Sequence, residues 1–258
     1  MTTFDVLALF GILLVTFAGG YPPLFRRKTD GVDSYPGGEA FTSGIFLALA
    51  LVIMLPEATT LLNKAWHSDF PSASVIAVLF FFLLLSLEHM VAHLRLRMND
   101  ESQLAAPIIP VVMVFMIAIP SFFMGTALGL STKALKWYIL VAILAHKGSA
   151  GFALALEMVK SRLSPRQRLG LYSGFAMSTP FGIICGSCMQ GYLVTSGPMP
   201  LIKGMVLAMA AGTFLYLGTL HELKQAPLIT HCTCRRNFLW LLFGFGLTVG
   251  VRFLLGVH

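Results

Sequence analysis

An all-α integral membrane bundle of eight transmembrane helices is the fold class this sequence predicts, and three observations predict it. The 258 residues are 57% hydrophobic and only 11% charged, with a mean hydropathy of +0.81, against about 25% charged residues in an ordinary soluble domain. The apolar residues fall in runs of bilayer length, for which about 20 residues suffice. The runs do not alternate, so a membrane barrel, with apolar residues outward and polar residues inward along each strand, is not expected. Eight spans of about 21 residues leave loops too short for a separate soluble domain of about 100 residues. Residues 1–258 therefore read as one multi-pass membrane domain, which excludes a soluble enzyme and a disordered tail.

The runs cover 4–25, 40–62, 74–94, 108–130, 135–158, 169–194, 200–222 and 238–256. Basic residues set their direction. One set of alternate loops holds Arg26, Arg27, Lys28, Arg95, Arg97, Lys160, Arg162, Arg166, Arg168, Lys224, Arg235 and Arg236; the other holds Lys64, Lys133, Lys136, Lys203 and Arg252. The richer set belongs in the cytoplasm, which places both termini outside. The net charge of +7 is then mostly a cytoplasmic-face feature that meets anionic headgroups, and no nucleic acid need be invoked.

Taken in order, the first span follows Met1 to Asp5 with no Lys or Arg before it and no small-residue cleavage site near Gly19 and Gly20, so a cleaved signal peptide is not expected. The second contains Met54-Leu55-Pro56-Glu57-Ala58, where proline frees a backbone carbonyl beside an acid; this makes either an ion site or a helix end. The third closes on Glu88, His89 and His93. Histidines at i and i+4 share a face suited to zinc, yet polar helix-end residues near the cytoplasmic interface read the same way. In the fourth, Pro120 cannot donate to the Met116 carbonyl, so a kink beside Ser121 and Met124 is expected.

The fifth span puts His146 and Lys147 side by side near its midpoint. A charge at the centre of a membrane helix costs at least about 2.5–3.5 kcal/mol, which makes such residues functional candidates. Neutral imidazole is a common transition-metal ligand, whereas the plainer reading is a hydrogen bond between helices. Lys147 is expected to pair with a carboxylate such as Glu57 or Glu222, or to rest as the neutral amine; Glu157 reads as an interfacial charge. The sixth span carries Cys185 and Cys188 near Met189, read as packing against neighbours, and the seventh ends on His221 and Glu222, either a ligand pair or a solvated terminus. Before the eighth lies His231-Cys232-Thr233-Cys234, three soft ligands where a closed site needs four, so a free reduced loop is the alternative to zinc or copper binding. No disulfide framework is expected. Glycines four apart, Gly125 and Gly129, Gly170 and Gly174, Gly182 and Gly186, and Gly246 and Gly250, are expected to mark packing faces.

Several stretches together, in this order, resemble the ZIP (Zrt-, Irt-like) family of divalent-metal transporters over nearly the whole chain. They are Phe41-Thr42-Ser43-Gly44-Ile45-Phe46-Leu47-Ala48 with Met54-Leu55-Pro56-Glu57-Ala58, then Gly125-Thr126-Ala127-Leu128-Gly129-Leu130, His146-Lys147-Gly148 with Phe152-Ala153-Leu154, Ser178-Thr179-Pro180-Phe181-Gly182, and Ala210-Ala211-Gly212-Thr213-Phe214-Leu215-Tyr216. The resemblance implies a ZIP-like bundle of eight helices with both termini outside and a metal path between the second, fourth, fifth and seventh. It implies zinc, iron, manganese or cadmium as cargo, moved toward the cytoplasm.

The chain also departs from that pattern. Where the family's fourth helix typically reads His-Ser-x-x-Glu-Gly, this one reads Pro120-Ser121-Phe122-Phe123-Met124-Gly125. Ile53 stands at the family's second-helix histidine, Ala150 at a fifth-helix glutamate, and His221 at a seventh-helix glutamate with Glu222 beside it. His146 is the strong ligand that stays in place. The expected metal residues are therefore His146, Ser121, Met124, His221, Glu222 and Glu57, a set in which the Met124 thioether softens the preference.

These residues predict a secondary carrier of divalent metal, zinc first, with a degenerate fourth-helix site, in a plasma or inner membrane. The alternative is a ZIP-fold membrane protein that does not transport and has a regulatory or partner-binding role. A membrane enzyme is not expected, since no nucleophile, base and orienting group converge on one helix face. No cofactor is expected, the metal being cargo. The partners are the metal ion and the lipid bilayer, with a homodimer left open.

Overall fold

The computed structural model describes residues 2–25, 36–98, 108–131, 133–160, 163–196, 199–221 and 235–254. Among the described residues there is no strand, and eight helices form. They are α1 (Thr3–Phe25), α2 (Pro36–Ala48, continued through Leu49–Met54 and Leu55–Trp66), α3 (Ser72–Met98), α4 (Ile108–Leu130), α5 (Lys133–Lys160), α6 (Pro165–Ser196), α7 (Met199–Tyr216, continued through Leu217–His221) and α8 (Arg235–Leu254). Each apolar run of the sequence forms the body of one helix. Among the described residues six stretches, Thr3–Pro22, Ala40–Trp66, Ser72–Met90, Val111–Leu130, Pro165–Tyr192 and Pro200–Leu220, are long and apolar enough to cross a bilayer. Large apolar side chains such as Leu14, Leu79, Phe115 and Phe253 stand exposed, an outer surface suited to lipid rather than water.

The helices pack as two groups. One contains α1, α4, α5 and α6, dominated by the α4–α6 and α1–α5 pairs; the other contains α2, α3, α7 and α8, dominated by α2–α8, α3–α7 and α2–α7. The groups meet chiefly where α4 touches α7 and α3, and also where α2 touches α5. Glycine spacing explains the strongest pair. A Cβ on Gly129 would lie 2.6 Å from the Ile183 carbonyl oxygen, and those on Gly125 and Gly182 would strike the Thr179 and Phe122 carbonyls, so α4 and α6 meet backbone to backbone. The other two glycine pairs differ from expectation. Among the described residues, nothing lies within 4 Å of such a Cβ on Gly170, Gly174, Gly246 or Gly250.

Two helices loosen into π-helical turns. In α2 the turn is Leu49–Met54, where the Leu55 amide donates to the Ala50 carbonyl five residues back. Pro56 follows at once and has no N–H to give the carbonyl of Val52, four residues before it. The Arg252 guanidinium of α8 donates to that carbonyl instead. The carbonyl that Pro56 releases is thus held by a side chain, and the reading of this kink as an ion site is narrowed accordingly. The second π-helical turn, Leu217–His221, ends α7 and packs on α2. π-Helical turns inside long helices concentrate at functional sites.

Candidate metal site

The polar groups at mid-bundle come from α4 and α5. His146 and Lys147 are 3% and 2% exposed. Neighbouring residues on a helix point about 100° apart, so they face different helices. Lys147 turns to α4 and α6: its Nζ donates to Ser121 Oγ at 2.9 Å and lies 3.8 Å over the Phe175 ring. His146 turns to α2, where the Phe46 ring meets it edge-on at a centroid distance of 5.2 Å. Phe46 packs in turn on Phe214 of α7 at 5.1 Å. Close approach of α1 helps to hold this segment, since a Cβ on Gly19 would strike the Gly148 carbonyl.

The remaining expected ligands divide. Met124 is buried in the main apolar cluster with Ala127, Leu128, Ile139 and Ala142. Ser121 is buried, but its hydroxyl is engaged by Lys147. Glu57 pairs with Lys203 of α7 at 2.6 Å, so it is not the carboxylate that serves Lys147, as one reading had expected. His221 closes the π-helical turn, while its side chain, together with Glu222, Glu157 and the His231-Cys232-Thr233-Cys234 segment, lies outside the described residues. Among the described residues no three His, Cys, Asp or Glu side chains gather as a metal cluster. His89 and His93 are exposed at the end of α3, which favours the helix-end reading. Cys188 is exposed and Cys185 half-buried, both as free thiols, so Cys188 does not pack as expected.

Other polar contacts were not anticipated. Lys136, counted with the outer loops, lies inside α5 and forms a buried ion pair with Asp5 of α1 at 2.5 Å, the side chains 7% and 2% exposed. Lys203 and Arg252, counted the same way, are also within helices and partnered. Tyr216 donates to Glu88 at 2.7 Å, tying α7 to α3. Ser43 of α2 is fully buried, and its hydroxyl has no partner among the described residues. A lone charge at the edge of an apolar run was the available signal for Asp5, Lys136 and Lys203. Nothing in the pattern distinguished Ser43 or Phe46 from core.

Long apolar helices with an imidazole and an ammonium buried between them define an integral, multi-pass membrane protein. The model of the ZIP zinc transporter family matches residues 96–252, more than half of the chain. The protein is similar to zinc transporter ZIP1 of Takifugu rubripes, 26% identical over 96% of this chain and 97% of that one, and to zinc transporter ZIP1 of Mus musculus, 29% identical over 95% and 89%. It is also similar to Fe(2+) transport protein 1 of Arabidopsis thaliana, 25% identical over 82% of this chain and 73% of that one. The chain belongs to the ZIP family of metal-ion transporters, which are not enzymes.

Proposed function

We propose that the protein carries a divalent metal ion, zinc first, toward the cytoplasm of a plasma or inner membrane. It does so along a path between α2, α4, α5 and α7, as a single domain of eight spans with both termini outside. The observation that carries this reading is the burial of His146 halfway along α5, where a polar, ionisable ring stands at a depth at which an apolar side chain would cost less. Zinc is supported by the names of the similar ZIP1 proteins, and the basic residues gathered on alternate loops support the orientation. His146 and Met124 are the inner ligands from α5 and α4, joined by His221 and by Glu222, which follows it in the sequence. Ser121 joins them when Lys147 releases its hydroxyl, and Glu57 serves at the outer side when Lys203 releases its carboxylate.

One observation favours a second reading. Lys147 already occupies Ser121, and Pro120 and Met124 stand where the family has a histidine and a glutamate, which suits a ZIP-fold protein that regulates or binds a partner without transporting. Uptake by the protein in liposomes, with zinc, cadmium, copper(I) and iron compared, separates the two. Metal uptake by the wild type that falls in His146→Ala supports the carrier. No uptake by the wild type, with no change in the variant, refutes it and leaves the second reading.

A further inference from the structure

A cavity of about 290 Å³ opens between α2, α5 and α8, away from the His146 ring, with walls formed by Phe41, Ile45, Tyr138, Val141, Leu247 and Val251. The hydroxyl of Thr248, which also lines it, is turned back onto the Gly244 carbonyl at 2.9 Å, so the wall it presents is apolar. A cavity lined in this way does not hold water. Val141 and Leu247, 52% and 46% exposed, open it toward the surroundings, which for this family of membrane proteins are lipid. The bilayer itself therefore supplies the occupant, an acyl chain.

Tyr138 brings a polar atom to the cavity it lines. The hydroxyl of Tyr138 is buried and has no hydrogen-bond partner among the described residues, and buried hydroxyls are seldom left so. Arg252 follows Val251, which lines the cavity, and its guanidinium reaches the Val52 carbonyl of α2, so a positive charge stands between α8 and α2 beside the cavity. Trp137, 60% exposed on the rim, belongs to a residue type that gathers at headgroup level. An anionic oxygen able to accept from Tyr138 beside a positive charge is what the phosphodiester of a membrane lipid offers.

We propose that this cavity binds a glycerophospholipid, with one acyl chain along Ile45, Val141 and Leu247 and the phosphodiester at Tyr138 and Arg252. The site lies on the seam between the two helix groups. One wall is α5, which carries His146, and another is α2, where Phe46 follows Ile45 and touches His146. Lipid occupancy then bears on the spacing of α2 and α5.

The test uses the full chain in liposomes containing a phosphatidylcholine with a diazirine in one acyl chain, illuminated and mapped by peptide mass spectrometry. Its readout is labelling, so its outcome is independent of whether the protein transports metal. The peptides bearing Val141 and Leu247 are expected to label more strongly than lipid-facing Leu79 and Phe82 of α3, and Val141→Trp, which fills the cavity from a half-exposed position, to lower that labelling about ten-fold while α3 is unchanged. Leu247→Trp repeats the measurement from α8 and guards against a folding defect in the first variant. Tyr138→Phe is expected to lower the phospholipid retained through detergent washing about three-fold, as when one hydrogen bond of about 0.65 kcal/mol is lost. Labelling at Val141 no stronger than at Leu79 and unmoved by both tryptophans would overturn the site. A diazirine fatty acid that labels as strongly as the phospholipid, or unchanged retention in Tyr138→Phe, would overturn the phosphodiester assignment.

Discussion

Lys136→Met probes how α1 is locked to α5, the helix that carries His146. The Lys136–Asp5 pair is nearly fully buried, and removing one member of such a pair costs about 3–5 kcal/mol because the other charge is left without compensation. The two members are not equivalent. The Asp5 carboxylate also accepts from the Thr2 amide at 2.8 Å and from the Ser187 hydroxyl at 3.4 Å, whereas Lys136 has no other partner among the described residues. Hydrogen bonds to a charged group recover about 1.5–3 kcal/mol each when well formed, so Lys136→Met should fall near or below the lower bound and Asp5→Asn near the upper. At about 2–4 °C per kcal/mol for a chain of this size, the apparent melting temperature in detergent should drop by about 4–10 °C for Lys136→Met and about 8–20 °C for Asp5→Asn. The double variant Asp5→Asn with Lys136→Met should recover most of the loss, since an ion pair replaced by neutral groups is often close to neutral in stability. Thermal unfolding of the four proteins, followed by the loss of monodisperse material on heating, provides the measurement. Two single variants that both melt with the wild type, or a double variant no better than the worse single one, would refute the reasoning.

Lys203→Met should cost no more than about 1 kcal/mol by the same assay, because the Lys203–Glu57 pair is only partly buried, at 12% and 30% exposure; a loss as large as that of Asp5→Asn would contradict it. His146→Ala should lower uptake of soft divalent ions about ten-fold, or 1.4 kcal/mol, in reconstituted vesicles, and unchanged uptake would remove His146 from the path. Pro120→His with Met124→Glu should raise zinc affinity in binding calorimetry by supplying an imidazole and a carboxylate on α4, and no gain would show that α4 does not face the ion. Gly182→Leu should abolish monodisperse protein on size exclusion, since its Cβ strikes the Phe122 carbonyl, while Gly246→Leu, with open space at that position, should leave it unchanged. Equal behaviour of the two glycine variants would contradict the packing described.

The eight helices were legible in the chain because lipid allows little else: backbone groups without water must bond internally, so a long apolar run becomes a helix whatever its neighbours do. His146 and Lys147 were legible for the same reason, as ionisable residues where an apolar one would be cheaper, and the loosened turn before Pro56 is in keeping with its missing N–H. Which helix each of these groups would meet was not legible. Lys147 rather than His146 reached Ser121, Lys203 rather than Lys147 reached Glu57, and Arg252 took the Val52 carbonyl. Only two of four glycine pairs lay at a crossing. Those outcomes depend on helix rotation and on which backbones approach, and a repeat of small or apolar residues is compatible with several rotations. Long side chains such as lysine and arginine then find whatever partner the packing leaves within reach, so charges that read as loop flanks in the sequence became ties between helices in the fold.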